Sequence, residues 1–148
     1  MLTTLRQETA LDFPSVKDDP VRPEISMAVR TSGYREVYSL RNTVGDTLAV
    51  VCLGFTSDVP QDVDSLILLG VNPYEYGGAI AVPYTVWSYV PGAGRSIIRE
   101  VRKYLTALCP LVTRIVTLSP LTEMARRFHT GNGAKLLQEN SDSRNFEY

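Results

Sequence analysis

The chain has 148 residues, which is the length of one ordinary domain. Its composition is typical of globular proteins, with 44% hydrophobic residues, 21% charged residues and a formal net charge of −1. The fifteen basic and sixteen acidic residues are scattered along the chain, so the charge gives no signal for nucleic-acid binding. Apolar runs such as 66–69 are far shorter than the roughly 20 residues that a membrane-spanning helix needs.

The compartment and the metal content can be predicted from a few residues. The N-terminus has no charged region followed by an apolar one, so we expect no signal peptide and a cytoplasmic protein. Cys52 and Cys109 are far apart in apolar surroundings, which predicts two reduced, buried thiols. One histidine and two isolated cysteines do not supply the usual zinc ligand sets, so no metal site is expected.

The first third of the chain divides into an arm and the start of a domain. Residues 1–20 are polar and contain two prolines, which predicts an extended arm, and residues 21–148 are predicted to form the domain. Pro23 and Glu24 are typical of a first helical turn, and Gly33 is a suitable end for that helix.

A β-hairpin and a short helix are predicted next. Val37 to Leu40 forms one strand, the turn at 44–46 contains a glycine, and residues 48–55 form a nearly continuous apolar second strand. Residues 62–69 can form one or two helical turns, and residues 72–78 have the composition of a loop.

The second half alternates strands and helices. Residues 79–90 are rich in β-branched and aromatic side chains and predict a strand, in which Pro83 indicates an edge, a bulge or a strand start. A glycine loop then leads into the clearest helix, which Cys109 and Pro110 end. The remaining elements are a strand at 113–118, a helix at 121–130, a strand at 134–137 and a last short strand at 145–148. The order predicts an α+β fold around a mixed sheet.

The glycine loop has the layout of a phosphate cradle. Gly92, Ala93 and Gly94 lie between a strand and a helix, where backbone N–H groups and the helix dipole favour an anion, and Arg95 and Ser96 can add side-chain contacts. The same residues also suit an ordinary tight turn. The loop is not a P-loop, because no Gly-Lys-Ser/Thr follows.

Ser119 and His129 are ten residues apart, one at a predicted strand end and one on the following helix. They can face one cleft beside the glycine loop. From spacing alone they can equally be a helix-capping serine and a partly exposed surface histidine.

The order of elements resembles the GNAT acyltransferase fold, whose loop Gln/Arg-x-x-Gly-x-Gly/Ala binds the pyrophosphate of coenzyme A. The matching stretch here is 89–94, in which both glycines match and Tyr89 stands where Gln or Arg is usual. The resemblance implies a mostly antiparallel mixed sheet flanked by helices. It also implies these cofactor-binding residues: Tyr89, Val90, Gly92, Ala93, Gly94, Arg95 and Ser96. Arg99, Arg102 and Lys103 form a helix face that is either simply solvent-exposed or contacts the 3′-phosphate.

A closer resemblance is to the catalytic domain of malonyl-CoA decarboxylase, which is itself a GNAT-fold enzyme. Leu118-Ser119-Pro120 is similar to its active-site serine segment, and Phe128 to Ala134 is similar to its active-site histidine segment. The ending Asn145-Phe146-Glu147-Tyr148 is similar to its Asn-Tyr-x-Tyr ending. The resemblance implies catalytic roles for Ser119 and His129. For acyl transfer, His129 is the candidate base, and Tyr148, Tyr89 or Ser119 is the candidate acid. The long insertion that the family carries between serine and histidine is absent here.

These observations leave three functions open. The first is transfer of an acyl group from acetyl-CoA or another acyl-CoA to an amine, which needs no metal. The second is decarboxylation of a malonyl thioester by Ser119 and His129. The third is a catalytically inactive GNAT-fold structural or binding protein. We expect acyl-CoA as a partner, an amine acceptor that the sequence does not identify, and neither membrane nor nucleic acid; a homo-oligomer stays open.

Overall fold

The computed structural model describes residues 2–148. Its strands are β1 (Thr3–Glu8), β2 (Arg35–Asn42), β3 (Thr47–Thr56), β4 (Ala79–Ser88), β5 (Val112–Ile115), β6 (Ser119–Pro120), β7 (Lys135–Glu139) and β8 (Ser143–Glu147). Its α-helices are α1 (Met27–Arg30), α2 (Val63–Leu68), α3 (Ala93–Leu108) and α4 (Glu123–Gly131), and a 3-10 helix covers Pro14–Asp18.

The strands form a main sheet and a smaller one in a single domain. The main sheet has the order β1-β2-β3-β4-β5, with β1 to β4 antiparallel and β5 parallel to β4. The smaller sheet has the order β6-β8-β7 and is antiparallel. The predicted α+β fold, with a mostly antiparallel mixed sheet flanked by helices, is confirmed.

Strand β3 is the centre of the core because both of its faces are covered. Val51 and Leu53 belong to the cluster that α3 completes with Ile97. Val50 and Cys52 belong to a second cluster, on the opposite face, to which Leu66 of α2 and Met27 of α1 contribute. A strand buried on both faces reads as a continuous apolar run, which is why its position could be predicted.

Most predicted elements are present. The hairpin turns between β2 and β3, and α2 begins after Asp62, whose side chain caps it by accepting the Ser65 N–H at 2.7 Å. The strand expected at 113–118 is regular only as β5. Beyond Ile115 the chain links the two sheets, since Thr117 N–H donates to Phe146 of β8 and its neighbours donate to β4.

The N-terminal third differs from expectation. A helix beginning at Pro23 is wrong, because α1 begins only after Ser26, which caps it by accepting the Val29 N–H. Within the expected arm, β1 pairs with β2 over six residue pairs and forms the edge of the main sheet. The division of the chain at residue 20 stays a prediction.

The strands β4 and β5 separate, and this creates the space for a site. Their regular pairing covers only Ala79 to Ala81 of β4, and one further bond, from Leu118 N–H to Pro83 O at 3.1 Å, lies beyond it. At the same point β4 has a bulge, since the register against β3 shifts between Pro83 and Thr85. The bulge that Pro83 indicated is confirmed. No helix within residues 2–148 is long and apolar enough to cross a membrane.

Candidate active site

A cavity of about 310 Å³ occupies the gap between the separated strands. One wall is residues 83–88 of β4, and the opposite wall is the segment 118–120. Helix α4 closes a third side with Met124, Ala125, Phe128 and His129, and Gly94 brings the start of α3 into the wall. The two residues predicted as a catalytic pair, Ser119 and His129, therefore line one cavity.

Ser119 is buried, and its hydroxyl forms a hydrogen bond with the Thr117 hydroxyl. The Ser119 Oγ and Thr117 Oγ1 atoms are 2.7 Å apart, and the Phe146 N–H donates to Thr117 Oγ1 at 3.0 Å. Ser119 does not cap α4, because Thr122 does so by accepting the Ala125 N–H. The interpretation of Ser119 as a helix cap is wrong.

His129 is also buried, with 6% of its surface exposed, so the interpretation as a partly exposed surface residue is wrong. Its Nδ1 lies 2.7 Å from the Tyr148 hydroxyl, and its ring stacks on Phe146 with centroids 5.6 Å apart. Burial lowers the His129 pKa to about 4, because the charged imidazolium is poorly solvated there. The imidazole is therefore neutral at neutral pH.

Tyr148 supports His129 rather than lining the cavity. Its hydroxyl contacts His129, and the Arg102 guanidinium lies 5.4 Å from the centre of its ring. Burial raises the pKa of Tyr148, so its hydroxyl remains protonated at neutral pH. Tyr148 can hold the imidazole in one orientation, and the sequence alone could not show this contact.

The glycine loop forms an uncapped helix start beside the cavity. Gly92 precedes α3 with φ +83°, a backbone conformation that favours glycine, and no side chain caps this end of the helix. Because the first N–H groups of a helix have no partner within the helix, those of Gly94 and Arg95 are available to an anion. Gly94 packs on Phe128, where a Cβ would come within 3.0 Å of the ring.

The other predicted cofactor-binding residues already have partners. The Tyr89 N–H donates to Leu48 O at 2.8 Å, and its hydroxyl donates to Asp18 Oδ2 at 2.6 Å, which ties the 3-10 helix to β4. The Ala93 N–H donates to the Val90 carbonyl at 3.3 Å. Ser96 donates with both its N–H and its hydroxyl to Gly92 O. Of the predicted set, the N–H groups of Val90, Gly92, Gly94 and Arg95 have no backbone partner among the described residues, and those of Gly94 and Arg95 lie in the first turn of α3.

A basic groove begins where the glycine loop ends. It has a volume of about 570 Å³. Four of its lining residues are basic: Arg95, Arg99, Arg102 and Lys103. Arg95 and Arg99 make no ion pair within 4.0 Å among the described residues. An unpaired cationic surface next to an uncapped helix start is suited to phosphate groups.

Sequence reasoning missed Arg22 and Thr117. The Arg22 side chain bridges the separated strands by donating to Tyr84 O and Leu118 O, both at 3.2 Å. The partner Leu118 is 96 residues away along the chain, so no local pattern predicts this contact. Thr117 could have been found, because it lies two residues before Ser119 at the end of the predicted strand, and residues two apart in a strand point to the same face.

Comparisons with known proteins identify the fold. No family model matches the chain, and no curated protein matches it. Arabidopsis thaliana NAA60 in complex with acetyl-CoA superposes with a TM-score of 0.66 and 14% identity, over 99% of this chain and 98% of that one. Campylobacter jejuni N-acetyltransferase PseH gives 0.63 and 9%, over 100% and 98%. The chain has the GNAT fold.

The GNAT fold also includes larger enzymes that are similar to this chain. Malonyl-CoA decarboxylase from Agrobacterium vitis has a TM-score of 0.64 and 20% identity, over 84% of this chain. The chain spans only 35% of that protein and 31% of the Cupriavidus metallidurans decarboxylase. Identities this low establish the fold alone, and the activity has to be argued from the site.

Proposed function

We propose that this protein binds acyl-CoA and transfers the acyl group to an amine. The observation that carries the proposal is the continuity of three features: the cavity that contains Ser119 and His129, the uncapped start of α3 that Gly94 brings into its wall, and the basic groove that begins at Arg95. In this spatial order, the three features can hold an acyl group, a pyrophosphate and a further phosphate.

The free edge of β4 supports the placement of the thioester arm. From Thr85 to Ser88 this strand has no strand partner on the side away from β3 among the described residues. An extended ligand that carries amide groups can pair with such an edge as an added strand. A backbone N–H on that edge can also polarise the thioester carbonyl, as preorganised donors do in acyl transfer.

In the transfer reaction the amine nitrogen attacks the thioester carbon, the C–S bond breaks, and the coenzyme A thiolate takes up a proton. The amine must lose a proton in this sequence. His129, with its pKa near 4, is neutral at neutral pH, so one ring nitrogen carries a proton and the other is able to accept the proton that the amine loses. The neutral state of His129 therefore supports a role as proton acceptor rather than as an imidazolium proton donor.

Decarboxylation of a malonyl thioester is the second candidate. It is favoured by the position of Ser119 and His129, which line the same cavity. The Arg22 guanidinium, which donates to Tyr84 O and Leu118 O on the two cavity walls, places a cation near a bound carboxylate. The low pKa of His129 argues against the proton donor that this reaction needs, and we therefore rank it second.

The proposal is tested first by acetyl-CoA binding, measured by calorimetry. Arg95→Gln combined with Arg99→Gln removes two unpaired cations from the groove and is expected to weaken binding at least tenfold, since each charge-assisted phosphate contact is worth roughly 1.5–3 kcal/mol. Arg6→Gln combined with Lys135→Gln removes the same charge at exposed positions outside the groove and should leave binding unchanged. If acetyl-CoA at millimolar concentration does not bind, the protein is a GNAT-fold binding or structural module.

The reaction is then identified with malonyl-CoA and a set of primary amines. One incubation has three distinct outcomes: release of CO₂, formation of an amide, or no reaction. We expect amide formation, and CO₂ release without amide would assign the decarboxylase activity instead.

A further inference from the structure

Arg22 is a half-buried cation at the point where the strands separate, and the protein provides no counter-ion for it. Its guanidinium donates from Nε to Tyr84 O and from Nη2 to Leu118 O, both at 3.2 Å. No carboxylate within residues 2–148 lies within 4.0 Å of it. Burial lowers the pKa of the guanidinium from its usual value, because the charged form is poorly solvated there. Backbone carbonyls orient this charge but do not neutralise it.

The acids near Arg22 do not supply the missing charge. Asp19 Oδ2 accepts from Arg30 Nη1 at 2.8 Å, and Asp19 Oδ1 accepts the N–H groups of Val21 and Arg22. Because Asp19 and Arg30 are buried together and neutralise each other, this group of side chains keeps one positive charge, at Arg22. Glu24 also attracts Arg22, but it is exposed and forms no ion pair with it.

The Arg22 guanidinium retains N–H groups for a ligand. Nη1 donates to no group within residues 2–148, and it is not among the side-chain atoms of this part of the chain that are buried without a partner. Nη1 is therefore open to solvent. A guanidinium that is already oriented by two hydrogen bonds loses little freedom when it binds a ligand, and a carboxylate is an acceptor that also balances its charge.

Arg22 lies on the face of the main sheet opposite to α3. Ile25, three residues after it, packs against the core cluster on that face, whereas α3 completes the cluster on the other face. The cavity is lined by Gly94 of α3 and also by Pro20 and Val21, which directly precede Arg22. The gap between the separated strands therefore connects the two faces of the sheet.

The two faces suit two different substrates. In the proposed function coenzyme A occupies the α3 side, because the uncapped helix start and the basic groove lie there. The amine then has to approach the thioester carbon from the side that coenzyme A leaves open, which is the side of Arg22. A carboxylate attached close to that amine would meet the unpaired guanidinium.

We infer that Arg22 binds a carboxylate of the acceptor, and that the acceptor is a small molecule with this carboxylate close to its amine, such as an α-amino acid. The inference rests on the proposed function, since it takes coenzyme A to fill the side of α3. It names the class of acceptor that the proposed function leaves open.

The experiment measures acetylation of α-amino acids at saturating acetyl-CoA, each compared with its own primary amide. The amide keeps the amine and the side chain but lacks the negative charge. We expect kcat/KM for the preferred amino acid to exceed that for its amide by at least about tenfold, the effect of one charge-assisted hydrogen bond. Arg22→Gln should lower this ratio by the same factor. A merely structural loss would lower both rates and leave the ratio unchanged.

Arg35→Gln is the matched control. Arg35 is also half-buried, donates from Nε to Val29 O at 2.8 Å and forms no ion pair within the described residues, but it lies outside the cavity wall. Its loss should leave the ratio unchanged. Arg22→Lys keeps the charge without the planar guanidinium and should give an intermediate ratio. If Arg22→Gln does not fold, Arg22→Lys takes its place.

The remaining outcomes separate this inference from the proposed function. If acetyl-CoA does not bind, or binds and no amine is acetylated, the proposed function fails and the inference fails with it. If amino acids and amides react alike, or the ratio is the same in Arg22→Gln, acyl transfer stands and the inference is overturned. If Arg22→Gln weakens binding of malonyl-CoA but not of acetyl-CoA and leaves the ratio unchanged, Arg22 binds a carboxylate of the acyl chain, which also overturns the inference.

Discussion

At the scale of single residues, the surroundings of His129 decide its pKa. An exposed histidine titrates near pH 6.5, inside the working range of most enzymes. Here Phe146 and Tyr148 cover the ring, and burial moves the pKa to about 4. The same burial that makes the imidazole neutral also makes folding sensitive to acid.

We expect the unfolding free energy to fall by about 2 kcal/mol between pH 7.5 and pH 5. The unfolded chain protonates His129 below about pH 6.5, while the folded chain does so only near pH 4, so the unfolded state binds more protons within this window. Urea denaturation at several pH values measures the effect. His129→Gln should be nearly independent of pH over the same range, because the chain has no other histidine; an equal slope in that variant would contradict the assignment.

The same pKa makes a prediction about rate. If His129 accepts a proton during acyl transfer, His129→Ala should lower turnover by roughly 10²–10⁴-fold with little change in acyl-CoA affinity. The acidic limb of the pH–rate profile should lie near pH 4 rather than near 6.5, because the free enzyme protonates only there. Steady-state rates from pH 4.5 to 8 test this. A limb near 6.5 that persists in His129→Ala would assign the base to another group.

At the scale of elements, the start of α3 links the main sheet to the cavity. Gly92 has φ +83°, and no atom would lie within 4 Å of an added Cβ, so only backbone strain opposes a side chain there. Gly94 is unsuited to the same test, because its Cβ would press on Phe128 in the cavity wall. Gly45, in the turn between β2 and β3, has φ +91° and equally open surroundings, and it lies outside the site.

Gly92→Ala and Gly45→Ala should each lower the unfolding free energy by about 1–2 kcal/mol, the cost of the left-handed conformation for a residue with a Cβ. Only Gly92→Ala should also reduce the thermal shift produced by acetyl-CoA, because it alone disturbs the helix start that is proposed to hold the pyrophosphate. Denaturant melts and thermal shifts of both variants give the comparison. Equal loss of the acetyl-CoA shift in both would remove the loop from the binding site.

At the scale of the whole molecule, the N-terminal segment is tied to the core by a buried ion pair. Arg30 and Asp19 are both almost fully buried, and Arg30 Nη1 donates to Asp19 Oδ2 at 2.8 Å. The same guanidinium donates to Ile25 O and Arg22 O. It therefore fixes the segment that carries Arg22 across the separated strands.

We expect Arg30→Met to lower the unfolding free energy by about 3–5 kcal/mol, since it leaves the Asp19 carboxylate buried without its partner. Arg114 forms a two-bond ion pair with Glu147 that is roughly one-third exposed on each side. Arg114→Met is the control and should cost at most about 1 kcal/mol. Urea denaturation of both variants measures the two unfolding free energies. Equal decreases would mean that the buried ion pair stabilises the fold no more than the exposed one does.

The sequence by itself determined the elements that local periodicity and turn chemistry control. The apolar run of β3, the helical spacing of α3 and the glycines before it each predict their own structure without help from distant residues. The sequence also suggested that Ser119 and His129 can face one cleft, and the structure places both in the wall of one cavity. The motif resemblance predicted the GNAT fold, which the structure has, and acyl-CoA, which stays a proposal.

Only the tertiary structure decided what depends on contacts between distant segments. The pairing of β1 with β2 brings a polar edge strand into the sheet, and polar side chains on an edge give no pattern to predict it. The burial of His129 depends on Phe146 of β8, and the bridge that Arg22 makes between the separated strands depends on its hydrogen bond to Leu118 O. The bulge in β4 arises where β5 departs from β4, so it depends on strand pairing. Such contacts arise only when the strands pair and separate, since no local sequence signal records how far apart two strands will lie.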